Sequence, residues 1–168
     1  MTISMYQSSV PVFIRQLGNL SAILTKAAAH AEAKKIDPTV FINARLFPDM
    51  FPLSRQVQIA CDTAKAGAAR LAEIELPSFA DVETTFAELQ ERIAKTIKFL
   101  ESIKPEQIDG KENLQITYIQ RDKESKFIGQ PYLLNYALPN LYFHITATYS
   151  ILRHLGVEIG KKDFLGNL

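Results

Sequence analysis

PYLLNYALPNLYFHITATYSILRHLG, residues 131–156, is the most apolar segment of the chain and carries two of its three histidines. Its apolar positions recur all the way round a helical projection, so a helix here is buried over most of its circumference. Leu134, Leu138, Leu141, Ile145, Leu152 and Leu155 form one stripe. Leu133, Ala137, Asn140, His144, Ala147 and Ile151 form a second, roughly 100° round. Asn140 and His144 lie one turn apart on that second stripe and point inward. Ala137 and Ala147 flank them, and small side chains leave room there for a water, a ligand or another polar group. Pro139 has no N–H, so the Asn135 carbonyl loses its helical partner and a kink is expected beside the pair. Pro131 suits the first turn, Gly156 suits the C′ position, and Arg153 and His154 suit the negative end of the helix dipole.

A helix this apolar needs others to enclose it, and three more are legible. Residues 4–34 place Tyr6, Val10, Phe13, Leu17, Leu20, Leu24, Ala27 and Ala31 at a 3–4 spacing. Pro11 should bend the start, and Gly18 weakens the middle slightly or permits close approach by a neighbour. Residues 49–74 follow, with Asp49 as N-cap and Leu53, Val57, Ala60, Ala64, Gly67 and Leu71 on the stripe. These small residues allow close packing, and Gln56 and Thr63 share the face. Residues 79–103 form the third, capped by Ser78 or Asp81, with Val82, Phe86, Leu89, Ile93, Ile97, Leu100 and Ile103 inward. Glu88 with Arg92 and Glu91 with Lys95 read as solvent-side i,i+4 pairs.

Two connections are informative. Residues 36–48, IDPTVFINARLFP, are too apolar for a free loop and should lie across the bundle end with a short helical turn, Arg45 pairing with Asp49. Residues 112–129 change period, with Leu114, Ile116, Tyr118, Phe127 and Ile128 around a polar turn, Arg121 to Lys126. This pattern suits a short β-hairpin or an extended excursion. The tail, VEIGKKDFLGNL, should pack back on the bundle through Phe164 and Leu165. The expectation is an all-α, four-helix bundle in one domain over 1–168, with a short hairpin between the third and fourth helices.

Composition narrows the function classes. The 168 residues hold 19 basic and 18 acidic side chains, with no long run of one sign, which argues against nucleic-acid binding through a basic patch. Cys61 is the only cysteine, so neither an intramolecular disulfide nor a multi-cysteine zinc site can form. No secretory signal or transmembrane span is legible, and cytoplasmic residence is the default.

The candidate site is His144 with Asn140, facing Gln56 on the second helix, with Asp49 near that helix's start. A buried histidine must be hydrogen-bonded, so a ring satisfied by Asn140, Gln56 or a tyrosine needs no further assumption. A metal needs three or four ligands, and this face supplies one good one. HExxH, ExxH, GxGxxG, the P-loop and the GxSxG elbow are absent, and no carboxylate pair shares a buried face. His30 reads as a half-exposed surface residue, His154 as a dipole partner and Cys61 as a small buried apolar group. The residues assign no catalytic group.

RLFPDMFPLSRQVQIACD (45–62), LPNLYFHITATYSILRHLGVEIGKKDFLG (138–166) and the N-terminal MYQSSVPVFIRQLGNLSAIL together resemble a bacterial domain-of-unknown-function family. That family is grouped with the DinB/YfiT-like metalloenzymes. The resemblance implies an up-down-down-up bundle and, often, a homodimer. It also implies a divalent metal held by one histidine of the second helix and two, spaced i,i+4, of the fourth. Here His144 matches one fourth-helix ligand and Asn140 stands at the other, while the second helix offers Gln56 or Asp49. An amide is a poor zinc ligand beside imidazole. The expectation is therefore a bundle with an incomplete metal triad and a small polar ligand between its second and fourth helices. The alternatives are a metal-dependent transferase or hydrolase using His144, Asp49 and Gln56, and a structural bundle with no cavity beside Ala137 and Ala147.

Overall fold

Residues 3–120 and 123–166 are described by the computed structural model; Arg121 and Asp122, at the tip of the expected hairpin, lie outside them. The first long helix, α1, spans Val10–Lys34 and buries Val10, Phe13, Leu17, Leu20, Leu24, Ala27 and Ala31 as the spacing predicts. It starts later than expected, because residues 5–8 form turns and Pro11 falls in its first turn, where a missing N–H costs nothing. Gly18 is exposed with nothing near it, so it serves no close contact. A short helix, α2 (Pro38–Ile42), is capped by Asp37 and buries Phe41 and Ile42. Half of that connection's apolar content faces outward instead: Val40, Leu46 and Phe47 are exposed. Arg45 donates to the Met50 carbonyl rather than pairing with Asp49.

The second long helix, α3, spans Leu53–Ala72 with Pro52, not Asp49, at its N-cap. Its small-residue stripe does bring neighbours close: a Cβ on Gly67 would meet the Phe13 ring at 3.2 Å and Ala137 at 3.4 Å. The third long helix, α4 (Phe86–Glu101), begins seven residues after the expected start. Thr85 and Glu88 form a reciprocal capping box there, which fixes the boundary. Residues 73–85 are instead an extended strap, and Val82 is exposed rather than in the core. The strap runs back along α3, from its C-terminus to Arg55 near its N-terminus, which pairs with Asp81. That return makes α3 and α4 parallel neighbours.

Arg92 departs furthest from expectation. It is 2% exposed, and Glu88 serves the cap instead of pairing with it. Its guanidinium reaches Asp62, Asp81 and Glu83, each at 2.9 Å, and donates to the Ala80 carbonyl at 3.0 Å. One buried cation thus ties the strap to both α3 and α4. Burial pushes the Glu83 carboxyl up, but the hydrogen bonds from Arg92, its own backbone N–H and Gln58, with the charge of Arg92, together hold it below the usual value. The expected pair Glu91–Lys95 is present on the solvent side at 3.9 Å.

A short helix, α5 (Pro105–Ile108), leads to the hairpin of β1 (Gln115–Gln120) and β2 (Lys123–Ile128), antiparallel with Ile116 opposite Phe127. A lone hairpin is marginal, and this one is docked: Gly129 donates to the Leu114 carbonyl at 2.8 Å and Gln130 to that of Glu112 at 2.9 Å. A Cβ on Gly129 would fall 2.1 Å from the Lys111 carbonyl oxygen, so only glycine fits.

The fourth long helix is assembled from α6 (Gly129–Tyr132), a π-helical turn (Leu133–Ala137) and α7 (Leu138–His154). The break expected at Pro139 takes the form of that π-turn, the wider hydrogen-bonding pattern that accommodates an interrupted ladder. Gly156 closes the helix at φ +87°, and Val157 donates back to Leu152 at 3.0 Å. The tail forms α8 (Lys161–Leu165), held to α1 by Asn19 on the Phe164 carbonyl and by the Lys26–Asp163 pair. Along α3, Gln56, Thr63 and Arg70 meet His144, Asn140 and Tyr132 in turn, so α3 and α7 are antiparallel. The four long helices make an up-down-down-up bundle. Among the described residues no helix is long and apolar enough to cross a membrane.

Candidate functional site

The three rungs between α3 and α7 are built by helical periodicity. Gln56, Thr63 and Arg70 recur every seven residues on α3, and Tyr132, Tyr136, Asn140 and His144 recur every four on the facing helix. In an unbroken α-helix each four-residue step drifts by about 40°. The π-turn between Tyr132 and Asn140 takes up part of that drift, which keeps both tyrosines on the side of Asn140.

His144 Nδ1 lies 2.7 Å from Gln56 Oε1, and Gln56 Nε2 donates to the Phe51 carbonyl at 3.1 Å. The glutamine oxygen accepts, so Nδ1 carries the proton. The ring is 8% exposed. Burial first, and the charge of Arg55 second, push its pKa down to about 4, so it is neutral at neutral pH. Asn140 Nδ2 donates to Thr63 Oγ1 at 3.0 Å. Asn140 and His144 therefore each take a separate partner from α3 and do not bond each other. Asp49 is exposed ahead of α3 and does not join them.

Asn140 and Thr63 form part of the wall of a cavity of about 460 Å³. That size is within the range of small-molecule pockets. Its α3 wall carries Arg55, Asp62, Thr63, Lys65 and Arg70; its α6–α7 wall carries Tyr132, Tyr136 and Asn140. The strap contributes Leu76, Pro77 and Phe79, and the hairpin contributes Tyr118. Arg70 Nη1 donates to Tyr132 Oη at 2.9 Å, and its guanidinium lies 4.2 Å from the centre of the Tyr118 ring. Lys65 Nζ sits 3.1 Å from Asp62 and 3.9 Å from the centre of the Phe79 ring. Tyr132 and Tyr136 stack at 5.7 Å. Burial raises the pKa of both phenols, that of Tyr136 to about 12 with Tyr118 adding to the effect, so both stay protonated.

The donor set does not suit a transition metal. Among the described residues no group of three His, Cys, Asp or Glu side chains is placed to hold one. His144 and Asn140 are engaged by Gln56 and Thr63, which offer amide and hydroxyl oxygens rather than imidazole or thiolate. Cys61 is buried, and burial pushes its thiol up to about 12, leaving it an inert apolar group. His30 packs edge-on against Phe41 at 6.0 Å, a structural contact.

Arg70, Lys65, Tyr118, Tyr132 and Tyr136 were not legible as site residues. The one available signal was the four-residue run Tyr132–Tyr136–Asn140–His144. Tyr118 and Phe79 reach the site only through the docking of the hairpin and the strap.

Comparisons with known proteins agree with this architecture. The profile of the family described as "Domain of unknown function (DUF1993)" matches residues 5–165. A solved structure of a DinB family member protein from Shewanella denitrificans is 47% identical and superposes with a TM-score of 0.92. That match covers 97% of this chain and 92% of the other. No curated protein matches the chain.

Proposed function

The chain belongs to the DUF1993 family, a DinB-like family of unknown function, and from that premise we propose that it is a small-molecule-binding protein. Its ligand sits in the cavity between α3 and α7, while the positions of the superfamily's metal triad are taken by side chains that satisfy one another. One observation carries this: the cavity is walled by Asn140, Thr63, Lys65 and Arg70 and three phenols, and the imidazole beside it is committed to Gln56. His144 and Gln56 are positioning groups here, holding the α3–α7 spacing, and Asn140 is held at the wall by its bond to Thr63. The competing reading, a metal-dependent transferase or hydrolase using His144, Asp49 and Gln56, requires Asp49 to leave solvent and join the other two. Elemental analysis of protein purified without chelator separates them. Substoichiometric zinc, nickel and iron are expected; stoichiometric metal that is lost in His144→Ala would overturn the proposal.

A homodimer accompanies this reading. Leu46, Met50, Tyr142, Phe143 and Ala147 line an apolar groove of about 300 Å³, and Phe143 is 56% exposed. The groove has no charged lining residue, so the same face on a second copy meets it without like-charge repulsion, as a two-fold interface requires.

A further inference from the structure

We infer that the ligand of this cavity is an organic carboxylate with a flat, ring-sized apolar body, its carboxylate held by Arg70 and its body between the tyrosine wall and the strap. This rests on the pocket reading above and adds the chemical class of the ligand.

Charge comes first. Three cations and one carboxylate line the cavity. Arg55 is matched by Asp81, which lies outside the lining, and Lys65 is matched by Asp62. Arg70 is different. Among the described residues its partners are the neutral Tyr132 hydroxyl and the Tyr118 ring, and no carboxylate pairs with it. The nearest acid in sequence, Glu73, is bound to Lys111. A half-buried guanidinium has five N–H donors in a planar fork. Among the described residues only one is used, on Tyr132. The remaining fork suits the two oxygens of a carboxylate.

Hydrogen-bond polarity points the same way. Arg70 donates to Tyr132 Oη, which leaves the Tyr132 proton to be given elsewhere. Tyr136 is likewise protonated, and Lys65 carries further N–H groups on the same wall. Around Arg70 the wall offers the guanidinium fork and protonated phenols, a donor set that recognises an acceptor-rich anion.

Shape supplies the rest. Tyr132 and Tyr136 lie nearly parallel, 24° apart, and Tyr118 and Phe79 face the same space from the hairpin and the strap. Leu76, Pro77 and Phe51 add apolar surface without charge. Flat aromatic walls favour a flat apolar body. A compact inorganic anion would leave that surface uncovered.

Calorimetry on the full chain tests the class with three probes: benzoate, benzamide of the same shape without charge, and inorganic phosphate. A charged hydrogen bond to Arg70 should make benzoate roughly tenfold or more tighter than benzamide. Phosphate should bind more weakly than benzoate. Arg70→Gln should remove the benzoate advantage, bringing benzoate to the level of benzamide, with circular dichroism confirming the fold. If that variant fails to fold, Arg70→Lys serves: it keeps the charge, loses the fork and should still bind benzoate severalfold more weakly. Equal binding of benzoate and benzamide overturns the carboxylate while the pocket stands. Phosphate binding as tightly as benzoate overturns the flat body. No binding by any probe, with Asn140 and Tyr136 unperturbed, overturns this inference and the pocket reading together.

Discussion

Replacing Arg92 by methionine should destabilise the fold by about 3 kcal/mol, and each part of that figure has a structural source. Methionine keeps much of the apolar volume of the arginine stem, so little of the loss comes from a cavity. The three acids around Arg92 do not suffer equally. Asp62 keeps Lys65 at 3.1 Å, and Asp81 keeps Arg55; both are partly exposed. Glu83, whose side chain is only 10% exposed, keeps Gln58 at 2.9 Å but, among the described residues, no cation. Breaking a buried pair and stranding one charge costs about 3–5 kcal/mol, and partial solvation of Glu83 places this case at the lower end. For a domain of this size the loss corresponds to a fall in Tm of about 6–12 °C. Urea unfolding followed by circular dichroism at neutral pH measures it. Acidification should narrow the gap between variant and wild type. The folded-state pKa of Glu83 is depressed by Arg92, so the stability it confers is present above the unfolded carboxylate value and lost as pH falls through the folded one. The variant should also expose the 73–85 strap to proteolysis. A loss under about 1 kcal/mol, the scale of an exposed ion pair, would refute this account of the strap.

Other consequences are equally direct. His144 titrates near 4 in the folded chain against about 6.5 unfolded, so the unfolded state binds more protons between those values. Stability should be full above about pH 6.5 and fall on acidification, by about 2–3 kcal/mol at pH 4.5; urea titrations across pH should show that His144→Gln lacks this part of the slope. Gly129→Ala should cost about 1–3 kcal/mol, because its Cβ meets backbone that cannot yield; an unchanged thermal melt would mean that the hairpin is not docked as described. Phe143→Asp should convert a dimer to a monomer in light scattering without lowering helicity, and a monomeric wild type would remove the proposed interface.

Much of the bundle was written in the hydrophobic spacing. The stripes of α1 and α3, the buried second stripe of α7 and the Gly156 stop all follow from period and termination residues. So did the inward pairs, since Asn140 and His144 had to find partners on a helix whose small residues admitted them. The start of α4 was misread because apolar Val82 extended the apparent stripe, although Thr85 and Glu88 already spelled a capping box. Arg92 was placed in solvent because local spacing offers it Glu88. Its actual partners are 9 to 30 residues away and converge only when the strap returns along α3. The cavity was half legible for the same reason. Tyr132, Tyr136 and Asn140 share a face by local rules, but Tyr118, Phe79 and the unmatched charge of Arg70 depend on how distant elements dock.

Protein-observed NMR on one isotopically labelled sample, titrated first with zinc and then with benzoate, tests most directly whether the cavity takes an organic ligand and the neighbouring His144 takes no metal. Benzoate should shift the side-chain signals of Asn140 and Arg70 and the backbone of Tyr132 and Tyr136, while zinc leaves the His144 ring unchanged. Saturable zinc shifts centred on His144, with no response to benzoate at Arg70, would contradict the account.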